Sequence, residues 1–246
     1  MCELAGRVAL VTGAAGPMGH AAAQALAAAG ARIALVDLAS ERLDAMAASL
    51  PGAIARGTDL TDLGALPALV EQVRRELGAV DILVNNAGVL SNAKSQATDA
   101  GEWRRVLSVN LDAAFFLARA VIPAMSARRW GRIINTSSLA AKTGGLTAGT
   151  AYAVSKGALS ALTFSLAREL AGVGVTVNAI APAYVRTPMV TEQLTEAQRQ
   201  SLLATIPVGR FCEPEEFGHV VRFLAAPLAG FITGEVVDLN GGLVMD

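Results

Sequence analysis

At 246 residues, 53% hydrophobic and with 24 glycines, the chain is long and apolar enough to bury a large core, which excludes a disordered polypeptide. A net charge of −1 without a lysine/arginine run gives no basis for binding nucleic acid or a membrane surface. Two cysteines, Cys2 and Cys212, are too few for a disulfide framework or a zinc site, and they fit reduced thiols in a cytoplasmic protein. No signal peptide precedes the first strand, and a charge, glycine or proline interrupts every apolar run before membrane-spanning length.

Short β-rich runs alternate with Ala/Leu-rich stretches along the whole chain. The pattern predicts a strand over 8–11 and a helix over 18–29, then a strand over 33–36 and a helix over 40–50. A strand near 53–55 leads to a helix over 62–77 with Pro67 in its N-terminal part, and a strand over 82–84 precedes a long helical region over 99–127. A strand over 132–135, a helix carrying Tyr152 and Lys156, and strands over 175–178 and 236–239 complete the series. The basic cluster Arg128-Arg129-Trp130-Gly131-Arg132 reads as the cap of a helix C-terminus, where cations are favourable. The strands are continuous apolar runs, as expected of strands buried on both faces, and their alternation with helices predicts a single-domain α/β fold over 1–246, a doubly wound parallel sheet flanked by helices. The stretch from 183 to 212 is long for a structureless loop and reads as a lid over a site.

Two places carry chemistry. Thr12-Gly13-Ala14-Ala15-Gly16-Pro17-Met18-Gly19 falls where the first strand turns into the first helix, the position at which such sheets seat a dinucleotide pyrophosphate. Asp37 ends the second strand 18 residues beyond Gly19, close to the spacing of the carboxylate that receives the adenosine ribose hydroxyls of NAD and repels a 2′-phosphate. No arginine or lysine among residues 13–19 or at Leu38 offsets that repulsion, so the cofactor expected is NAD. Farther on, Tyr152 and Lys156 stand four residues apart on one helical face. A phenol has a pKa near ~10, and a neighbouring ammonium draws it toward the working range, which makes the pair a tuned general acid/base.

In order along the chain, Thr12 to Gly19, Asp59-Leu60, Asn85-Asn86-Ala87-Gly88, Val109-Asn110, Ser138, Tyr152 with Lys156, Pro182 with Thr187, and the closing Gly234 to Gly242 resemble the short-chain dehydrogenase/reductase family. The resemblance implies a Rossmann-like fold and an NAD(H)-dependent oxidoreductase that interconverts a secondary alcohol and a ketone. Ser138, rather than its neighbour Ser137, would hold the substrate oxygen with Tyr152. Tyr152 would move the proton, Lys156 would lower its pKa and hold the nicotinamide ribose, and the main-chain carbonyl of Asn110 would lead a proton path to Lys156. Gly13, Gly16, Pro17, Met18 and Gly19 would receive the pyrophosphate, and Asp37 with Leu38 the ribose. Asp59, Leu60, Asn86, Ala87 and Gly88 would border the adenosine, and Pro182, Val185 and Thr187 the nicotinamide. Asn85-Asn86 is read as shaping the adenosine pocket, Trp103 and Trp130 as packing residues, and His20 and His219 as outside any metal site; no metal is expected.

Two positions depart from the family pattern. Pro17 stands where a glycine is usual; it suits the first turn of a helix but has no N–H, so the amides of Gly16 and Met18 are expected to take over. Ala183 replaces the glycine that usually follows Pro182. Tyr184, Met189, Val190 and Leu194 of the lid, with Leu139, Ala140 and Leu146, give an apolar lining suited to a neutral alcohol or ketone unless Arg186 or Lys142 points inward. The alternative within the family is a 3-oxoacyl carrier-protein reductase using NADPH, against which Asp37 and the uncharged 171–174 stretch weigh; the alternative of another class is a non-catalytic nucleotide-binding regulator. Apolar residues beyond one stripe on the long helices, together with the family resemblance, lead to an expected homotetramer.

Overall fold

The computed structural model describes residues 2–187 and 195–245. The chain runs β1 (Val8–Thr12), α1 (Pro17–Ala28), β2 (Arg32–Asp37), α2 (Glu41–Ala48), β3 (Ile54–Gly57), α3 (Leu66–Leu77) and β4 (Ile82–Asn85). It continues through α4 (Ala100–Leu107), α5 (Ala113–Arg128), β5 (Gly131–Thr136), α6 (Ala140–Thr143), α7 (Thr150–Leu170) and β6 (Val175–Pro182). After β6 follow α8 (Glu196–Leu203), α9 (Pro214–Ala225) and β7 (Val236–Leu239).

The strands form one parallel sheet in the order β3-β2-β1-β4-β5-β6-β7, with Leu10 level with Ala34 on one side and Leu83 on the other. Strands β1, β4, β5 and β6 are buried along their whole length, while the edge strands β3 and β7 are only partly covered. Period-two alternation sends Val8 and Leu10 into a core with α3, α5 and α7, and Ala9 and Val11 into a second core with α1 and α9. Helices α1 and α9 approach closely at Gly218, where a Cβ would lie 2.5 Å from the Ala21 carbonyl oxygen. The strand order reverses between β1 and β4, and the crevice outside their carboxyl ends is where such a sheet places a ligand.

Several elements differ from the sequence expectation. Helix α3 starts at Leu66, because 62–65 form turns and Pro67 occupies its first turn. Helix α9 was not anticipated, although its signals are in the chain: Pro214 opens it, the Glu213 and Glu216 side chains form a capping box, and Phe217, Val221 and Leu224 share a buried face. The stretch over 183–212, expected to be a lid, carries α8, and Met189, Val190 and Leu194 lie outside the described residues. Residues 100–128 form one unbroken helical rod, long and apolar enough by composition to cross a membrane. One face of it, with Leu117, Val121 and Met125, packs into the core on the α3 side of the sheet, as a core helix does. A single π turn, Ser108–Asp112, interrupts its α-helical geometry at Asn110. The basic cluster after α5 does more than cap: Arg129 closes the helix in the left-handed conformation, Arg128 reaches Asp81 at 3.2 Å, and Trp130 lies between the guanidinium groups of Arg7 and Arg132.

Candidate active site

The β1–α1 turn is closed from within. The Gly16 N–H donates to the Gly13 carbonyl at 3.1 Å and the Ala14 N–H to Val36 at 3.2 Å. The Ala15 N–H donates to one Asp37 oxygen and the Leu38 N–H to the other, both at 2.8 Å. Gly13 has φ +64°, and a Cβ there would lie 2.8 Å from the Ala87 Cα, so only glycine serves. Pro17 takes the first helical position and has no N–H, so the first-turn amides of α1 are those of Met18 and Gly19. The Gly16 amide, expected to donate to the pyrophosphate, is engaged within the turn instead.

Across the crevice, the Thr12 hydroxyl accepts from the Asn86 and Ala87 amides at 3.0 Å and donates to the Val84 carbonyl, fastening the end of β4 to β1. The Asn86 side-chain amide donates to the Thr12 and Gly13 carbonyls. Asn85 is elsewhere: buried in the sheet, it donates to Asn135 at 2.9 Å, and Asn135 donates to Thr163. It is a core residue rather than part of an adenosine pocket. At the far end of the crevice Asp59 accepts from the Thr61 amide and hydroxyl, which holds its carboxyl below the ordinary value.

Helix α7 brings Tyr152 and Lys156 to the carboxyl end of β5. The Ser138 hydroxyl faces the Tyr152 phenol and favours its ionised form. Ser137 turns the other way, donating to the Lys156 carbonyl and lying 2.8 Å from the Ser160 hydroxyl, which selects Ser138 as the serine facing the crevice. Lys156 is 3% exposed and donates to the Thr136 carbonyl at 2.6 Å. Burial pulls its pKa down to about 8. Burial pushes the Tyr152 phenol up from its ordinary value, with the Ser138 hydroxyl acting against that rise. The ammonium lies 5.7 Å from the phenol ring centre. Desolvation thus outweighs the charge effect expected from the sequence, because both groups sit where water cannot solvate an ion.

Asn110 is buried behind this pair. Its side chain accepts from the Val89 amide at 2.8 Å and donates to the Val89 carbonyl and the Ser155 hydroxyl. A Cβ on Gly88 would come within 3.4 Å of both the Asn110 side-chain oxygen and the Lys156 nitrogen, so Gly88 keeps these two neighbours clear.

One cleft of about 680 Å³ takes in the whole set except Asn110: the β1–α1 turn, Asp37 and Leu38, Asp59 and Leu60, residues 86–88, Ser138, Tyr152 and Lys156, and Pro182, Tyr184, Val185 and Thr187. Its charged lining residues are Asp37, Asp59 and Lys156 among the described residues. Leu139, Ala140 and Leu146 line the cleft, while Arg186 pairs with Glu213 at 2.8 Å and Lys142 with Asp238 at 2.5 Å, both outside the lining. Sequence reasoning missed Leu90 and Asn92 after β4, Thr143 and Thr147, and Leu202 of α8. The Thr136 carbonyl that holds Lys156 is a backbone atom and left no signal to read.

Residues 13–244 match the family model described as enoyl-(acyl carrier protein) reductase. With that match and a Rossmann-like sheet, the chain belongs to the short-chain dehydrogenase/reductase family, a class of oxidoreductases. It is 39% identical over 247 residues to a 3-oxoacyl-acyl-carrier-protein reductase of Thermotoga maritima, covering 99% of this chain and 100% of that one. A solved structure from Beutenbergia cavernae, provisionally assigned as an NAD(P)-dependent gluconate 5-dehydrogenase and holding NADP at low occupancy, superposes with a TM-score of 0.90 at 39% identity, over 98% of each chain. A provisionally assigned short-chain alcohol dehydrogenase from Sinorhizobium meliloti 1021 gives a TM-score of 0.93 at 37% identity, also over 98% of each chain.

Proposed function

We propose that the protein interconverts a ketone and a secondary alcohol with a nicotinamide dinucleotide, NAD(H) in preference to NADP(H). The observation that carries this reading is the meeting of Ser138, Tyr152 and Lys156 in one cleft that also contains Asp37. The residues fit such a cofactor: first-turn amides at Met18 and Gly19, a carboxylate at the end of β2, and a buried lysine beside the proposed reacting end. When bound, the cofactor supplies the hydride chemistry. Ser138 and Tyr152, both lining the cleft, hold the substrate oxygen between them. Tyr152 gives its proton to that oxygen in reduction and takes it back in oxidation; a phenol kept above its ordinary pKa is protonated at neutral pH and ready to donate. Lys156 stabilises the phenolate left behind, and with its own pKa near 8 it can pass on a proton close to neutrality. Asn110 fixes the π turn that backs Lys156 and, through its main-chain carbonyl, forms the start of the proton path.

Asp37 supports NAD because its carboxylate lines the cleft while, among the described residues, no basic side chain does so beside it. A second reading concerns the substrate. The Thermotoga maritima relative, matched over essentially its whole length, weighs toward reduction of a 3-oxoacyl thioester, more than toward a free alcohol. The uncharged substrate half supports a neutral reacting group under either reading. The test is to assay NADH and NADPH against 3-oxoacyl thioesters, cyclic and aryl ketones and polyol-derived ketones. Activity with NADH well above NADPH is expected. A clear NADPH preference removes the role given to Asp37, and absence of any turnover across the panel would support a non-catalytic nucleotide binder.

A further inference from the structure

The walls of the substrate half come from two irregular segments, the loop after β4 with Leu90 and Asn92 and the loop between α6 and α7 with Leu146, Thr147 and Ala148. One side chain joins them. Lys94 donates from Nζ to the Gly145 carbonyl at 3.0 Å and to the Ala148 carbonyl at 2.6 Å. We propose that Lys94 is a positioning residue, a clasp that fixes the loop over 144–149 and so sets the shape of the substrate end.

Both ends of the clasp are prepared. On its own side, the Thr98 hydroxyl donates to the Ala93 and Lys94 carbonyls at 3.0 Å, and the Ala97 amide donates to the Lys94 carbonyl, so the base of the lysine is held. On the other side, Gly144 and Gly145 have φ of +72° and +82°, and a Cβ on Gly145 would lie 2.8 Å from the Ala148 carbonyl oxygen. This tight, left-handed turn brings two carbonyls to a single donor. Their alignment suits an ammonium, which has three donors and can satisfy both at once through charge-assisted bonds. Backbone bonds from Gly149 to Ser91 at 2.6 Å and from Thr150 to Ala93 at 3.1 Å tie the loop's C-terminal end to the same platform, but its apex is left to Lys94. Leu146 at that apex is 70% exposed, so its own packing does little to hold it over the cleft.

The proposal rests on the reading that the substrate oxygen is held by Ser138 and Tyr152, and its test separates the two. In Lys94→Met the substrate KM is expected to rise at least fivefold, while kcat and the cofactor dissociation constant stay within about twofold. Lys94→Arg, which keeps a charged donor of similar reach, is expected to recover most of the loss. Hydrogen exchange gives a readout that needs no turnover: amides of 144–149 should exchange faster in Lys94→Met, with those of β1 and β5 unchanged. If the parent protein turns over nothing, the functional reading fails while the clasp is still judged by exchange. Unchanged exchange in Lys94→Met overturns the clasp, as does a loss of cofactor affinity that matches the rise in KM.

Discussion

Lys156 and Tyr152 are pushed toward their neutral forms by the same burial, and this has consequences that can be measured on the protein without substrate. For Lys156 the folded pKa, about 8, lies below its ordinary 10.5. Between these two values the unfolded chain binds the extra proton, so stability rises with pH through that window and the contribution is complete above it. Urea denaturation midpoints of the parent and Lys156→Met, followed from pH 7 to 10.5, should therefore diverge, with the upward trend present only in the parent. Parallel curves would mean that the ammonium is better solvated than its contacts indicate. Tyr152→Phe removes the transferable proton and little else, because the ring and its packing remain. Turnover is expected to fall by about 10²–10⁴, the usual range for a lost general acid. Calorimetric binding of the cofactor should be unchanged within a few-fold. A Tyr152→Phe enzyme that kept its kcat would end the role given to the phenol.

At the scale of elements, the first turn of α1 shows how much the sequence made legible. Pro17 at the helix start was readable, and so was the missing N–H, since both follow from the ring of proline. That the Gly16 amide is spent on Gly13 was not readable, because it depends on how the turn closes. With Met18 and Gly19 as the first-turn amides of α1, Pro17→Gly adds a third donor, and NAD is expected to bind at least as tightly to the variant. The same change frees the unfolded backbone and should lower stability by about 0.4–1 kcal/mol. Weaker NAD binding by the variant would show that the proline ring itself contributes to the site. The central strands and the helices after them were legible for a similar reason: a strand buried on both faces tends to be an apolar run, and 8–11, 33–36 and 82–84 are such runs. Helices α9 and α8 were both missed although their starts were visible, in the cap and apolar spacing of α9 and in the Thr195-to-Gln198 spacing before α8. In the cleft, side chains with a motif of their own were found, whereas Asn85 was misplaced because two adjacent asparagines at a strand end face opposite ways.

The whole molecule presents an apolar surface that a single copy leaves in water. Leu228 is 98% exposed, Phe231 is fully exposed and Phe223 is half-exposed, all in or beside the segment that joins α9 to the edge strand β7. On the other flank, Phe115 and Phe164 lie exposed on α5 and α7. Clusters of this kind mark contact surfaces, and two separate ones are what a closed assembly with more than one axis needs. The β7 edge also bears on the site, because β7 pairs with β6 through Leu239 and Pro182, and Pro182 is where the chain enters the lid. A partner seated against β7 would therefore steady the strand pair from which the lid springs. Sedimentation velocity is expected to show the parent as a tetramer, and Leu228→Asp combined with Phe231→Asp to reduce it to a smaller species that still folds. Because the lid's footing loses its outer support, the dissociated species should also show a higher substrate KM than the parent. A parent that sediments as a monomer would leave these side chains without a partner of the same kind, and an unchanged KM in the dissociated variant would show that the lid does not draw on the β7 edge.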